Sequence, residues 1–345
     1  MVLAVPLRVS AYPTFTQVVI DAQMAGDDKA LADIDGDGKL DIIVGGMAPG
    51  EPLTWYEWPA WTKHVIDRGH QEFTTETDVG DMDGDGDVDL VVSDGTVANN
   101  LRYYRNATRE GKDPKIGANW QRVTIASTGG FNHDVRLGDW NGDGKLDVLA
   151  ESGLYTQVNP TTFARTGDFA LPHEGMCFGD VDNDGDSDVV AAGLGCWYEN
   201  PGWVRHDGPR GNKVRVGDVN GDGRLDIVCN SGDGDGPLTW YSTADPRRGP
   251  WVQHTIQANV HGGHSLGLAD FDLDGSLDVM SAEMSGEVCV FYNTGKGERF
   301  SKQLLSKIGS HNAVVGDVDG DGDVDIMGCN FTGNPPVVLW RNGLR

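Results

Sequence analysis

Hydrophobic and polar positions alternate with a period of two along most of the 345 residues, in short blocks separated by glycine and aspartate. Trp61-Thr62-Lys63-His64-Val65-Ile66 and Trp251-Val252-Gln253-His254-Thr255-Ile256 alternate cleanly, while Asp226-Ile227-Val228-Cys229 is apolar on both faces. Alternation marks a half-buried strand, and a short continuous apolar run marks a strand covered on both sides. No segment shows the 3.6-residue period of a helix, so an all-β chain is expected. The blocks recur in a fixed order. A short strand such as His133-Asp134-Val135-Arg136-Leu137-Gly138 leads into an acidic loop, and an apolar strand follows it. A third strand then ends in an aromatic pair (Trp55-Tyr56, Tyr103-Tyr104, Trp197-Tyr198, Trp240-Tyr241, Phe291-Tyr292), and a fourth alternates.

The acidic loop, D-x-[DN]-x-D-G-x-x-D, occurs seven times at intervals of 38 to 58 residues. That spacing holds one four-stranded blade each, so the pattern predicts a seven-bladed β-propeller. Only two strands follow the seventh loop, ending in Val337-Val338-Leu339-Trp340, and one strand, Phe15-Thr16-Gln17-Val18-Val19-Ile20, precedes the first. Pairing these across the termini closes the ring and removes an open sheet edge. Residues 12–345 are therefore expected to form a single domain behind an N-terminal extension, 1–11.

Oxygens at loop positions 1, 3, 5 and 9, with the backbone carbonyl of position 7, would wrap one hard cation, and glycine at position 6 permits the turn. The seven sets are Asp33, Asp35, Asp37, Lys39 and Asp41; Asp81, Asp83, Asp85, Asp87 and Asp89; Asp139, Asn141, Asp143, Lys145 and Asp147; Asp180, Asp182, Asp184, Asp186 and Asp188; Asp218, Asn220, Asp222, Arg224 and Asp226; Asp270, Asp272, Asp274, Ser276 and Asp278; and Asp317, Asp319, Asp321, Asp323 and Asp325. The all-oxygen shell predicts structural Ca²⁺, up to seven ions. An EF-hand is excluded, because no loop has Glu at position 12 and strands flank the loop. The alternative is that some loops are Asx-type turns.

Charge now acquires an explanation. The chain has 53 acidic and 27 basic residues, a net charge of −26, and the loops alone carry 26 carboxylates at positions 1, 3, 5 and 9. Such acidity argues against nucleic acid or anionic membrane as partner. No apolar run is long enough for a membrane span, and Met1 to Ser10 make a poor secretory signal. Five cysteines without CxxC spacing (Cys177, Cys196, Cys229, Cys289, Cys329) sit in apolar runs and are expected to be buried free thiols. Asn106-Ala107-Thr108 and Asn330-Phe331-Thr332 match the N-glycosylation pattern.

With these loops, from Phe15 to Asn342, the chain resembles the FG-GAP, or VCBS, repeat family, which includes the heads of integrin α-subunits. The resemblance implies a seven-bladed propeller with structural calcium, and an extracellular or periplasmic setting; a monomer is expected.

All seven loops fall on one face, so the starts of the first strands and the ends of the second strands meet on the opposite one. That register gathers Asp27, Asp28, Glu76, His133, Asp134, His173, Glu174, Asn212, Lys213, His261, His264, His311 and Asn312, joined by Asp94, Glu151, Asn230, Glu283 and Asn330, with His70 on the same side. Five of the nine histidines lie there, in blades that differ from one another, which suits one asymmetric centre better than a sugar pocket per blade. Taken singly, each is more simply a strand-end cap. His64, His206 and His254 instead share one fourth-strand position and are expected to be structural, as are the recurring tryptophans.

Gly262-Gly263-His264-Ser265-Leu266-Gly267 with Ala282-Glu283-Met284, Trp197-Tyr198-Glu199-Asn200-Pro201-Gly202-Trp203 and Gly309-Ser310-His311-Asn312 look like carbohydrate-active members of that family. Those members include polysaccharide lyases acting on uronate-containing glycans and the propeller domain of aldos-2-ulose dehydratase. The resemblance implies β-elimination on an acidic or oxidised sugar. Imidazole suits both proton transfers, so His133, His173, His264 and His311 are the acid–base candidates. Lys213, Arg210 or a bound metal would neutralise the substrate anion. Histidine with Glu283 or Glu151 would alternatively hold one additional catalytic divalent metal of the zinc type. Rival readings are a lectin-like glycan-binding propeller, an adhesion or protein-interaction propeller, and a glycoside hydrolase using Glu151 and Glu283.

Overall fold

The computed structural model describes residues 12–46, 51–68, 73–94, 100–128, 132–330 and 336–344. Among the described residues twenty-eight strands form seven four-stranded antiparallel sheets, six of them with their strands in chain order. Blade 1 comprises Asp28–Ala32, Asp41–Gly45, Leu53–Glu57 and Thr62–Asp67. Blades 2 to 6 begin at Phe73–Gly80, Val135–Gly138, Met176–Gly179, Lys213–Gly217 and Gly263–Ala269. Blade 7 takes His311–Gly316, Asp325–Cys329 and Val337–Arg341 from the C-terminus and Thr16–Asp21 from the N-terminus. The expected closure is present: Thr16 pairs with Arg341 and Val18 with Leu339. The first strands contact one another in a ring around the axis. Among the described residues helix is confined to three single turns, at Thr108–Glu110, Gly117–Asn119 and Ala192–Leu194. Among the described residues no helix is long and apolar enough to cross a membrane. The proposed extension, 1–11, and His70 lie outside the described residues, as do the side chains of Thr75 and Asp94.

The core lies between blades rather than within them. Ile43 and Trp55 of blade 1 pack with Leu90, Val92 and Tyr104 of blade 2, all essentially inaccessible. Ile42 and Tyr56 meet Met327 and Leu339 across the closure, with Val18 and Ile20 against them. At roughly 1.5–3 kcal/mol per large buried side chain, these interfaces dominate the favourable side of folding. The glycine ending several first strands allows the close approach. A Cβ on Gly80 would stand 2.4 Å from Leu146 Cδ1, and one on Gly217 2.8 Å from Leu277 Cδ1. All five cysteines are buried free thiols, as expected.

Two devices fix the acidic loops to this core. The position-9 aspartate is buried in every blade. In blade 6 its Oδ2 accepts the Phe271 N–H (3.0 Å) and its Oδ1 the Asn293 N–H (2.8 Å), and blades 1, 2, 4 and 7 repeat both bonds. An amide after the third strand then clasps the loop of the preceding blade: Asn106 donates to Ile34 O, Gln157 to Met82 O, Asn200 to Trp140 O, Asn293 to Val219 O and Asn342 to Phe271 O. Asn106 is thus a buried clamp rather than an open glycosylation site. Asn330 donates to Ile308 O, and the other two residues of its sequon lie outside the described residues.

Candidate functional site

The two ends of the first strands carry two different sites. At the loop end the position-1 carboxylate folds the turn: Asp33 accepts the N–H groups of Gly36, Asp37 and Gly38. Position 4 as well as position 6 is left-handed, with φ of 78° at Gly36 and 85° at Gly38, and blade 6 places Leu273 there at 56°. The sequence pattern had marked only position 6. Ligand atoms of Asp33, Asp35 and Asp37 lie within 4.8 Å of one another, as do those of Asp81, Asp83 and Asp85. Asp35 Oδ1, Asp272 Oδ1 and Asp319 Oδ1 are buried with no hydrogen-bond partner. Orphaned carboxylate oxygens converging in a turn fit a hard divalent cation. The loops are not equivalent, however. Arg105 reaches Asp83 and Asp85, Arg247 reaches Asp182 and Asp184, and Arg341 reaches Asp319, placing a guanidinium against loops 2, 4 and 7.

At the opposite end the polar set converges across the ring. The residue five places before the strand's closing Gly or Ala is Asp27, His133, Glu174, Asn212, His264 or His311 in blades 1, 3, 4, 5, 6 and 7. Five of these six touch. His311 Nδ1 donates to Asp27, and the His264 and His311 rings stack with centroids 3.6 Å apart. His264 Nε2 lies 3.1 Å from Glu174 Oε1, and His133 Nδ1 lies 2.9 Å from the same oxygen. His173 packs on His133 (centroids 4.6 Å) and donates Nδ1 to Glu151 Oε2 at 2.8 Å. Beneath lies the axial channel, a cavity of about 470 Å³ lined by Lys29, Glu76, Asp78, Arg136, Lys213, Arg215, His264 and Asn312 among others.

Burial sets the protonation states. It pushes His311 down to about 4, so at neutral pH this ring is a neutral donor to the Asp27 carboxylate. Burial works against charge on Glu174, but the two imidazoles and Lys213 outweigh it and hold the carboxyl far below the usual range. Asp28, fully buried, is pushed up to about 7. Lys213 is only 3% exposed and lies 3.6 Å from both Glu76 and Asp134 and 3.9 Å from Glu174.

This placement corrects several expectations. His264 (1% exposed) and His311 (6%) are buried, not rim residues. Lys213 balances the protein's own carboxylates and so is not free to neutralise a substrate. Arg210 donates to the carbonyls of Gly193 and Leu194, which makes it a loop brace. Glu283 accepts the backbone N–H groups of His261 and Glu287, so neither acid–base work nor a histidine–Glu283 metal site is supported. His261 pairs with Asp235, outside the cluster. Glu151 does join the site, through His173. Sequence reasoning missed Asp233, whose Oδ1 reaches 3.3 Å from His264 Nε2, and the channel cations Arg136 and Arg215. The one available signal for the cations was Arg in place of an apolar residue two positions before the strand-ending glycine. The fourth-strand histidines are structural, as expected: His64, His206 and His254 each lie on the cross-strand Trp55, Trp197 or Trp240.

The profile of the FG-GAP-like repeat matches residues 33–92, 81–150, 218–281 and 270–328. No curated protein matches the chain. Among solved structures it is similar to BBS1N in complex with ARL6DN, soaked with lead (11% identity, 95% of this chain and 96% of that one, TM-score 0.57). It is also similar to the V. cholerae biofilm matrix protein Bap1 (12% identity, 96% and 88%, TM-score 0.53). At such identities these likenesses concern the fold alone.

Proposed function

The chain belongs to the family of FG-GAP-like repeats, and on that scaffold we propose a carbohydrate-active lyase working at the channel mouth opposite the acidic loops. The observation that carries this reading is the imidazole–carboxylate chain from His173 through His133 and Glu174 to His264, because acid–base side chains gathered at one cleft are what proton-transfer chemistry requires. His173 is its solvent end, with its side chain 57% exposed and its ring oriented by Glu151. In an acidic sugar, neutral His173 would take the proton from the carbon beside the carboxylate. The electron pair left behind forms the carbon–carbon double bond, the neighbouring C–O bond breaks, and the leaving oxygen takes a proton from His133. His264 and His311 would hold the geometry from beneath rather than touch substrate. The seven acidic loops would hold structural calcium on the other face.

A second reading, a propeller that binds glycan or protein without turnover, is favoured by the burial of His264 and His311. Incubation with a panel of uronate polysaccharides, followed by ultraviolet absorbance, separates the two. The lyase reading expects an unsaturated product and a loss of roughly 10²-fold in turnover for His173→Ala. No unsaturated product from any acidic glycan would favour the binding reading.

A further inference from the structure

The axial channel changes character along its length. Four places before the strand ends, on the mouth side, Asp28, Glu76, Asp134, Lys213, Ser265 and Asn312 are all buried. One place before the strand ends, each of the seven blades presents an apolar side chain, from Leu31 in blade 1 through Phe178 in blade 4 to Val315 in blade 7. Every one of these is half-buried rather than buried. The channel is therefore entered from the face of the acidic loops, past an apolar collar, and the mouth network seals its inner end. Just inside the collar, two places before the strand ends, blades 3 and 5 carry Arg136 and Arg215, with Asp78 in blade 2 and Cys177 in blade 4. The two guanidiniums are not matched alike. Arg136 donates to Glu76 and to Val135 O (2.7 Å). Arg215 donates to Val214 O (2.9 Å) and makes no salt bridge among the described residues. Asp78 offsets part of its charge, but both carboxylate oxygens accept backbone N–H groups, from Val79 (2.9 Å) and Leu137 (2.8 Å). Burial and the like charge of Arg215 push Arg136 down to about 9, so each cation feels the other. A guanidinium carries five N–H donors, and leaving most of them without a protein acceptor in a half-enclosed cavity is unfavourable.

We propose that the channel binds a small carboxylate, its anionic head held by Arg215 with Arg136 beside it and its apolar body lying against the collar. A guanidinium fork matches the two oxygens of a carboxylate, and an anion placed near two like charges relieves their repulsion. The cavity of about 470 Å³ has room for such a molecule. Its entrance lies among the seven acidic loops, which repel an anion unless cations occupy them. The site opens on the face opposite the mouth histidines and does not depend on the lyase reading.

The test uses the full chain, dialysed free of organic acids into a chloride buffer containing calcium. Titration calorimetry with benzoate is expected to show one site per chain. Acetate, which lacks the apolar body, should bind at least tenfold more weakly, and benzamide, which lacks the charge, should not bind. Arg215→Met keeps the side-chain length, removes the donors and should abolish benzoate binding. The same change removes the like charge beside Arg136, so Tm without ligand should equal or exceed that of wild type. The rise in Tm that benzoate gives the wild type should vanish in the variant. No heat and no Tm shift with benzoate, acetate or benzamide binding as tightly as benzoate, or full binding in Arg215→Met overturns the site. A drop of several degrees in the Tm of ligand-free Arg215→Met would overturn it too, by showing that the guanidinium is already satisfied within the protein. Turnover of acidic glycans at the mouth should be the same in wild type and Arg215→Met, so this proposal and the lyase reading fail separately.

Discussion

Each first strand of the ring joins two regions built on opposite rules. At the loop end the blades repeat one arrangement closely, with the buried position-9 carboxylate capping backbone amides, by both oxygens in five of the seven, and the position-1 carboxylate folding the turn. At the mouth end, equivalent places hold Asp27, His133, Glu174, Asn212, His264 and His311, and all of these side chains but Asn212 meet across the ring rather than within their blades. A task every blade must perform for itself, holding its own hairpin, produces repetition. A task performed once, on the axis, requires the blades to differ. Symmetry within the chain therefore separates support from site, and the same residue type falls on both sides: His254 stacks on Trp240 in an outer strand, whereas His264 stacks on His311 at the axis.

The largest expected effect lies at the loop end. If calcium fills the acidic loops, chelation should lower Tm strongly, since each ligand held at 100 times its Kd adds about 2.7 kcal/mol to the folded state. Loops 2, 4 and 7, already approached by arginine, should contribute least. Asp278→Ala and Asp274→Ala divide the loop's two roles. Asp278 caps two amides whether or not metal is present, so its loss should cost roughly 2–5 kcal/mol even in chelator. Asp274 caps only Ser276 N–H, at the surface, so its variant should match wild type once metal is removed. Calorimetry with and without chelator measures both. Equal costs in chelator would mean the position-9 clamp has been misjudged.

The loop end was legible in the sequence because its chemistry is local. Ligands two residues apart, a glycine between them and a strand on each side are all visible in nine letters, and sevenfold repetition removed the ambiguity of any one copy. Closure by Thr16–Asp21 was legible too, as a strand lacking a partner at one terminus and a blade lacking a strand at the other. The mouth was legible only as a list of residues. Which of them meet depends on the ring's radius, so the sequence groups His261, which pairs with Asp235, with the axial histidines and passes over Asp233. Glu283 and Arg210 were misassigned because their partners are backbone amides and carbonyls, which leave no mark in a sequence.

A smaller effect probes the burial of the mouth. Asp28 is inaccessible, and its carboxyl stays protonated up to about 7, whereas an unfolded aspartate ionises near 3.9. Between those values the folded state binds the extra proton, so this group's contribution to stability falls as pH rises from about 4 to 7 and is level outside that window. Asp28→Asn keeps an oxygen to accept the Thr77 hydroxyl bond and cannot ionise. Relative to wild type, the variant should therefore gain Tm steadily from pH 4 to 7. A difference between the two proteins that does not change with pH would place an ionised carboxylate at Asp28.

The smallest expected effect is the sharpest test of the contrast between histidines. His254 lies flat on Trp240, with centroids 3.9 Å apart and planes 9° apart, and its Nε2 is 3.1 Å from Ser242 Oγ. It touches nothing at the axis, so His254→Ala should cost about 0.5–1.5 kcal/mol, the worth of one stacked pair, and leave any turnover per folded molecule unchanged. His264→Ala should behave otherwise. It empties a buried place between the Glu174 and Asp233 carboxylates, whose mutual repulsion then goes unanswered, so it should cost more stability than His254→Ala and remove the properties of the mouth as well. Chemical denaturation of the two variants side by side, with turnover on acidic glycans measured on each, decides the matter. If His254→Ala disturbs the mouth, or if His264→Ala costs stability while leaving turnover per folded molecule whole, then the outer and axial histidines are doing the same work and the division of labour between the two regions fails.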